Sequence, residues 1–189
     1  MNEMKREQIL IAAQASLVRF GLKGSSVEAI AKAAGVSKVT IYKHFNNLDG
    51  LAAAVMSRAA EGLYADLRRA ADAPGTPRQQ VERVCLALVQ EINRETLQAL
   101  ERILYEVALQ DPDTGRRIFE LGPQRTLTLL ASLLQETHGS RARSVAEKLM
   151  ALLRGGEQYR VWLSVRPPLS PEEQRRYVQD CLDWALGIE

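Results

Sequence analysis

Between Val36 and His44 the chain carries Lys38, Thr40, Tyr42, Lys43 and His44, and no carboxylate at all. A short helix that served only as solvated surface would ordinarily include acidic residues. These types suit a polyanion instead. Lysines meet phosphates or guanine acceptors, a threonine hydroxyl bonds a phosphate or a base edge, and an exposed Val39 can touch a thymine methyl group. At about 100° per residue, Ile41 and Phe45 share one face of a helix over 38–44. Val39, Thr40 and Lys43 then point away from that face, with Tyr42 and His44 on its flanks. That inventory suits the major groove of double-stranded DNA; the alternative reading of the same residues is a generic helical hairpin with a solvated, lysine-bearing face.

The elements that position it are legible in the same stretch. A first helix over about Lys5 to Phe20 places Ile9, Ala13, Leu17 and Phe20 on one face, and Gly21 and Gly24 end it. Ser25 with Glu28 fits a capping box for a second, alanine-rich helix over Val27 to Ala34, although Ser26 can also serve as the cap. Gly35 can close that helix in the left-handed conformation, and Ser37 can cap the third. A capped short helix, a glycine turn and a second short helix make a helix-turn-helix. The hydroxyls and amides of Ser25, Ser26 and Ser37 at helix starts suit phosphate. Residues 1–50 carry seven cations against four anions, whereas the rest of the chain is close to neutral, so the footprint for a polyanion is confined to this small segment.

From Ile9 to Leu51 the text ILIAAQASLVRFGLKGSSVEAIAKAAGVSKVTIYKHFNNLDGL resembles the N-terminal domain of TetR-family transcriptional regulators. The shared pattern is an apolar helix ending in F-x-x-x-G, a Thr/Ser pair, I-A-x-x-A-G-V-S, T-x-Y-x-H/Y-F and a closing leucine. The resemblance implies that Thr40, Tyr42 and His44 contact DNA, Tyr42 on phosphate. It puts Lys38, Val39 and Lys43 at variable positions facing bases or nearby phosphates, and Ser26, Val27 and Ser37 at helix starts that approach the backbone. Ile41 and Phe45 fall on core positions. The pattern departs at Leu48, where the family usually has a lysine that meets phosphate. Either Asn46, Asn47 or the start of the next helix substitutes, or affinity is weaker than usual or the DNA frame slightly different.

The remainder of the 189 residues also reads as helix, with about nine helices in all and no alternating strand pattern. The expectation is an all-α chain. A three-helix DNA-binding domain occupies 1–47, and a larger helical domain, effector-binding and dimerising, occupies 48–189. A long helix from Leu48 to about Ala73 should join the two. Pro74-Gly75-Thr76-Pro77 is the strongest break, Gly122-Pro123 should kink or restart a helix, and Ser170-Pro171-Glu172-Glu173 opens the last one. Apolar stripes at Val81, Val84 and Leu88, at Leu97 to Val107, and at Leu127, Leu130 and Leu134 read as core. From Leu97 to Gly139, a stretch that includes LERILYEVALQDPDTGRRIFELGPQRTLTLLASLL, the chain resembles the AefR-type branch of the same family.

That resemblance implies a small-molecule effector held among the middle helices and a homodimer formed by the last two, over about 144–165 and 170–186. Tyr64, Gln90, Arg102 and Tyr105 could line a cavity, but no ligand residue is assigned. Leu149, Leu152, Leu153, Tyr159, Trp162, Val178, Leu182, Trp184 and Leu186 are the candidate dimer surface. Both tryptophans fall there, a residue type enriched at interfaces. No cofactor or metal is called for. Cys85 and Cys181 are far apart and read as buried thiols, and His44 and His138 form no carboxylate–histidine spacing of a di-iron bundle. No GxGxxG, P-loop, HExxH or nucleophile elbow is present, so an enzyme is not expected. No apolar run reaches the roughly 18 residues of a membrane span, and no secretion signal opens the chain, so a cytoplasmic location is expected. The function expected is a ligand-responsive repressor that binds a palindromic operator as a homodimer. The alternatives are an activator of the same fold or a helical adaptor without DNA specificity.

Overall fold

The computed structural model describes residues 3–187. Among them there are eleven α-helical segments and no strand. They fall into two compact units.

The first unit holds α1 (Glu3–Gly24), α2 (Val27–Ala33), α3 (Lys38–Phe45), α4 (Leu48–Asp72) as far as Ala60, α6 (Glu95–Gln110) and α7 (Pro112–Phe119). Ile9, Leu10, Ala13 and Leu17 of α1 are fully buried and share one apolar core with Ile30, Ile41, Leu51, Val55, Leu100, Ile103 and Ile118. The face of α1 ends at Leu17. Phe20, expected on it, is 55% exposed, and the Arg19 guanidinium lies 5.0 Å from the centre of its ring. Gly21, at φ +68°, then breaks the helical path in a conformation that strains any residue with a Cβ.

The second unit holds the rest of α4, α5 (Pro77–Ile92), α8 (Arg125–His138), α9 (Ala142–Arg154), α10 (Gly156–Trp162) and α11 (Pro171–Leu186). Val81, Val84, Leu88, Leu130, Leu149, Leu153 and Leu182 form its interior. Two capping boxes set its helix starts. Thr76 and Gln79 cap α5, and Ser170 and Glu173 cap α11, each with proline at the first helical position. A kink or restart is expected at Gly122-Pro123. The pair sits in a π-helical turn over Glu120–Gln124 that is followed directly by α8, one widened turn absorbing the missing proline donor. The helix expected over 144–165 is split instead. Gly155, at φ −75° and ψ −103°, leaves helical geometry between α9 and α10, where a Cβ would press on the Ala151 carbonyl. Cys85 and Cys181 are buried, free thiols, and burial pushes the pKa of each upward. No helix among the described residues is long and apolar enough to cross a membrane.

Candidate nucleic-acid interface

The two short helices of the first unit are set by their caps. Ser26 is extended and its hydroxyl accepts from the Ala29 amide at 3.2 Å, which starts α2. Of the two serines it is therefore Ser26 that caps. Ser25 turns inward, with 9% of its surface exposed. Its hydroxyl donates to the Gly21 carbonyl at 2.8 Å and accepts from Ser16 Oγ at 2.9 Å. Ser25 thus pins the corner between α1 and α2 and offers nothing to a phosphate. Gly35, at φ +65°, closes α2. The Val36 amide reaches back to the Ala31 carbonyl and the Gly35 amide to Lys32, a Schellman turn that aims the chain at α3. Ser37 then caps α3. Its hydroxyl accepts from the Thr40 amide at 3.1 Å and lies 2.9 Å from Thr40 Oγ1.

Ile41 is fully buried and Phe45 nearly so, which fixes the rotation of α3 about its axis. Val39 is consequently 74% exposed and Tyr42 49% exposed, and Lys38, Lys43 and His44 are exposed beside them. Thr40 is half-buried next to Ser37. The structure therefore gathers Ser37, Lys38, Val39, Thr40, Tyr42, Lys43 and His44 on the outward side of one two-turn helix, with the hydroxyl of exposed Ser26 at the start of α2. Val27 differs. Its side chain is 8% exposed and lies in the core. Lys38 is not free of carboxylates either: its Nζ is 3.4 Å from Glu28 of α2. An exposed pair of this kind contributes little and is easily exchanged for another anion.

Behind α3, the start of α4 is held closely. Asn47 accepts the Gly50 amide at 2.8 Å and so caps α4. A Cβ added to Gly50 would overlap the Phe45 carbonyl oxygen, so only glycine lets the two helices meet. The sequence pattern alone points to neither feature, although an Asn–x–x–Gly step at a helix start is the signal that carries them. Leu48 is half-buried against the core of the unit. Further along α4, Arg58 Nε donates to both carboxylate oxygens of Glu7 at 2.9 and 3.0 Å, and its Nη1 donates to Gln14 at 3.1 Å, which ties α4 to α1. The Arg58 hydrogen bonds hold the Glu7 carboxyl below the usual range.

The candidate dimer residues divide by burial. Leu149, Leu153, Val178 and Leu182 are 0–2% exposed within the second unit, where they form the chain's own interior. Tyr159 is 63% and Trp184 68% exposed, and Leu152, Trp162 and Leu186 are half-buried. Of the residues that could line an effector cavity, Tyr64 is half-buried with the Arg125 guanidinium 3.8 Å from its ring centre, and Gln90, Arg102 and Tyr105 are exposed. No group of three residues able to hold a metal occurs among the described residues.

Comparison with known proteins places this geometry. Residues 9–55 match the bacterial regulatory proteins of the tetR family, and residues 79–188 match the AefR-like transcriptional repressor C-terminal domain. The HTH-type transcriptional regulator BetI of Burkholderia mallei is 26% identical, over 99% of this chain and 96% of its own. The HTH-type transcriptional activator FasR of Mycolicibacterium smegmatis is also 26% identical, over 98% of this chain and 83% of its own. Among solved structures, a putative TetR-family transcriptional regulator from Mesorhizobium loti superimposes with a TM-score of 0.85 at 24% identity, covering 98% of this chain and 96% of its own.

Proposed function

We propose that this chain, which belongs to the TetR family of bacterial regulatory proteins, is a cytoplasmic, homodimeric repressor that reads a palindromic operator with α3 and leaves it when a small molecule binds. Proteins of this family are DNA-binding transcription factors, not enzymes. The division of labour proposed is DNA reading by residues 1–47 and effector binding and dimerisation by 48–189. The observation that carries the reading is the outward face of α3, where Val39, Thr40, Tyr42, Lys43 and His44 stand clear of acidic residues on their own helix while Ile41 and Phe45 anchor it from behind.

One two-turn helix covers too few base pairs for useful specificity. Two heads related by a two-fold axis engage half-sites one DNA turn apart, about 34 Å. Trp184 and Tyr159 supply exposed apolar surface for the pairing, with Leu152, Trp162 and Leu186 at its edges, while Leu149, Leu153, Val178 and Leu182 back that surface from inside. An effector that binds better to one spacing of the heads than to the other shifts the population away from the DNA-competent state. Release on effector binding makes a repressor. The 26% identity to the FasR activator supports a second reading, in which the same head recruits transcription instead.

The test is a mobility shift of the purified protein on the DNA flanking its own gene, with and without excess genomic competitor. Retention of the shift under competitor is expected. A shift lost equally to any DNA points to the adaptor reading. A reporter from the same promoter, higher or lower when the gene is deleted, separates repressor from activator.

A further inference from the structure

The first unit contains a cleft of about 490 Å³ lined by residues from α1, the consecutive helices α3 and α4, and the distant α7. Arg6 comes from the first turn of α1, His44 and Asn46 from the end of α3, Ser57 from α4 and Arg117 from α7. No carboxylate lines it. Four of these five side chains are exposed, and the cleft begins at His44, on the flank of the proposed reading face.

Each arginine feels the charge of one carboxylate, Arg6 that of Glu7 and Arg117 that of Asp111. The carboxylate next to Arg6 is Glu7, which Arg58 already holds with hydrogen bonds to both oxygens. On α7, Asp113 is taken by Arg116 at 3.0 Å. Arg117 is aimed by a short relay instead: its Nη2 donates to Thr114 Oγ1 at 3.1 Å, and the Thr114 hydroxyl donates to Asp111 at 2.6 Å. One nitrogen of the Arg117 guanidinium is thereby engaged, and neither Arg6 nor Arg117 makes an ion pair of 4.0 Å or less among the described residues. The guanidinium nitrogens not engaged in this way can meet a phosphate in the paired geometry that arginine favours.

We propose that this cleft is a phosphodiester site, in which Arg117 and Arg6 hold the DNA backbone where it leaves the recognition helix. The inference rests on the DNA-binding reading above. It extends the DNA-contacting surface beyond the helix-turn-helix to α7, some 70 residues further along the chain. It also supplies phosphate contacts to a head whose position 48 is leucine, half-buried in the core.

The experiment is the salt dependence of binding to a promoter fragment by fluorescence anisotropy, for the wild-type chain, Arg117→Gln, Arg6→Gln and Arg116→Gln. Removing one phosphate interaction lowers the slope of log K against log salt by about 0.9, on specific and random DNA alike. Arg117→Gln and Arg6→Gln are expected to show that drop with unchanged thermal unfolding, while Arg116→Gln keeps the wild-type slope. Wild-type binding with an unchanged slope in Arg117→Gln and Arg6→Gln overturns the cleft and leaves the α3 reading intact. No wild-type binding to any fragment overturns both. Inorganic phosphate at matched ionic strength, without DNA, is the further arm. If it raises the melting temperature of the wild type but not of Arg117→Gln while the salt slopes of the variants stay at the wild-type value, the site takes free phosphate and the backbone assignment is overturned.

Discussion

Gly50 meets the carbonyl of Phe45 with no room for a side chain. The end of α3 and the first turn of α4 are therefore locked backbone to backbone, and Asn47 closes the joint by capping the Gly50 amide at 2.8 Å. A shift in the start of α4 must displace the reading face. The expectation for Gly50→Ala follows from this. Alanine is the better helix former by about 1 kcal/mol, yet here it has to push α4 off α3. Specific DNA affinity should fall at least tenfold, and thermal stability should drop, not rise. Equal or higher stability with full binding would show that the two helices are free to separate.

This joint also marks the limit of what the sequence discloses. The helix-turn-helix is legible because its parts are local: Ser37 three residues before Thr40, Gly35 at a left-handed turn, Ile41 and Phe45 one turn apart. The proline-led capping boxes of α5 and α11 are local too. What is not local escapes. Ser25 and Ser26 offer the same chemistry, and only the fold shows that Ser25 is turned inward onto Gly21. Leu149 and Trp184 are equally apolar on paper, but one is 0% and the other 68% exposed. That α6 and α7 pack into the same unit as α1–α3 depends on residues about 90 apart in the chain meeting in one core, which no pattern within a single helix encodes.

Lys43 and Thr40 are the candidates for base readout. Replacing both by alanine should weaken binding to the specific site by about 1–3 kcal/mol for each base interaction removed, with fold and dimer unchanged. Competition assays on specific and random DNA check this. Equal losses on the two would mean that these side chains meet only the backbone.

Leu48 occupies the first position of α4, beside capping Asn47. Leu48→Lys can keep its aliphatic stem on the core and extend its ammonium outward. Binding should tighten, and the salt slope should steepen by about 0.9. An unchanged slope would place the DNA backbone out of reach of this helix start.

The Glu7–Arg58 pair makes a pH prediction. Arg58 lowers the carboxyl pKa in the folded state, so the pair's contribution is complete above the unfolded-state carboxylate value of about 4.3 and is lost as pH falls through the lower folded value. Both side chains are more than a third exposed, so the contribution is no more than about 1 kcal/mol. Thermal melts of Arg58→Met should lack this acid-limb loss and be lower than wild type at neutral pH. A variant whose melting curve parallels the wild type from neutral pH down to about pH 3 would contradict the assignment.

The central claim is tested most directly by hydroxyl-radical footprinting of the full-length protein on the DNA upstream of its gene. Two protected patches on one face of the duplex, related by a two-fold axis and about one helical turn apart, are predicted. They should vanish together when Tyr42 and Lys43 are replaced by alanine. A single unpaired patch, or uniform protection that the substitutions do not alter, would contradict the account.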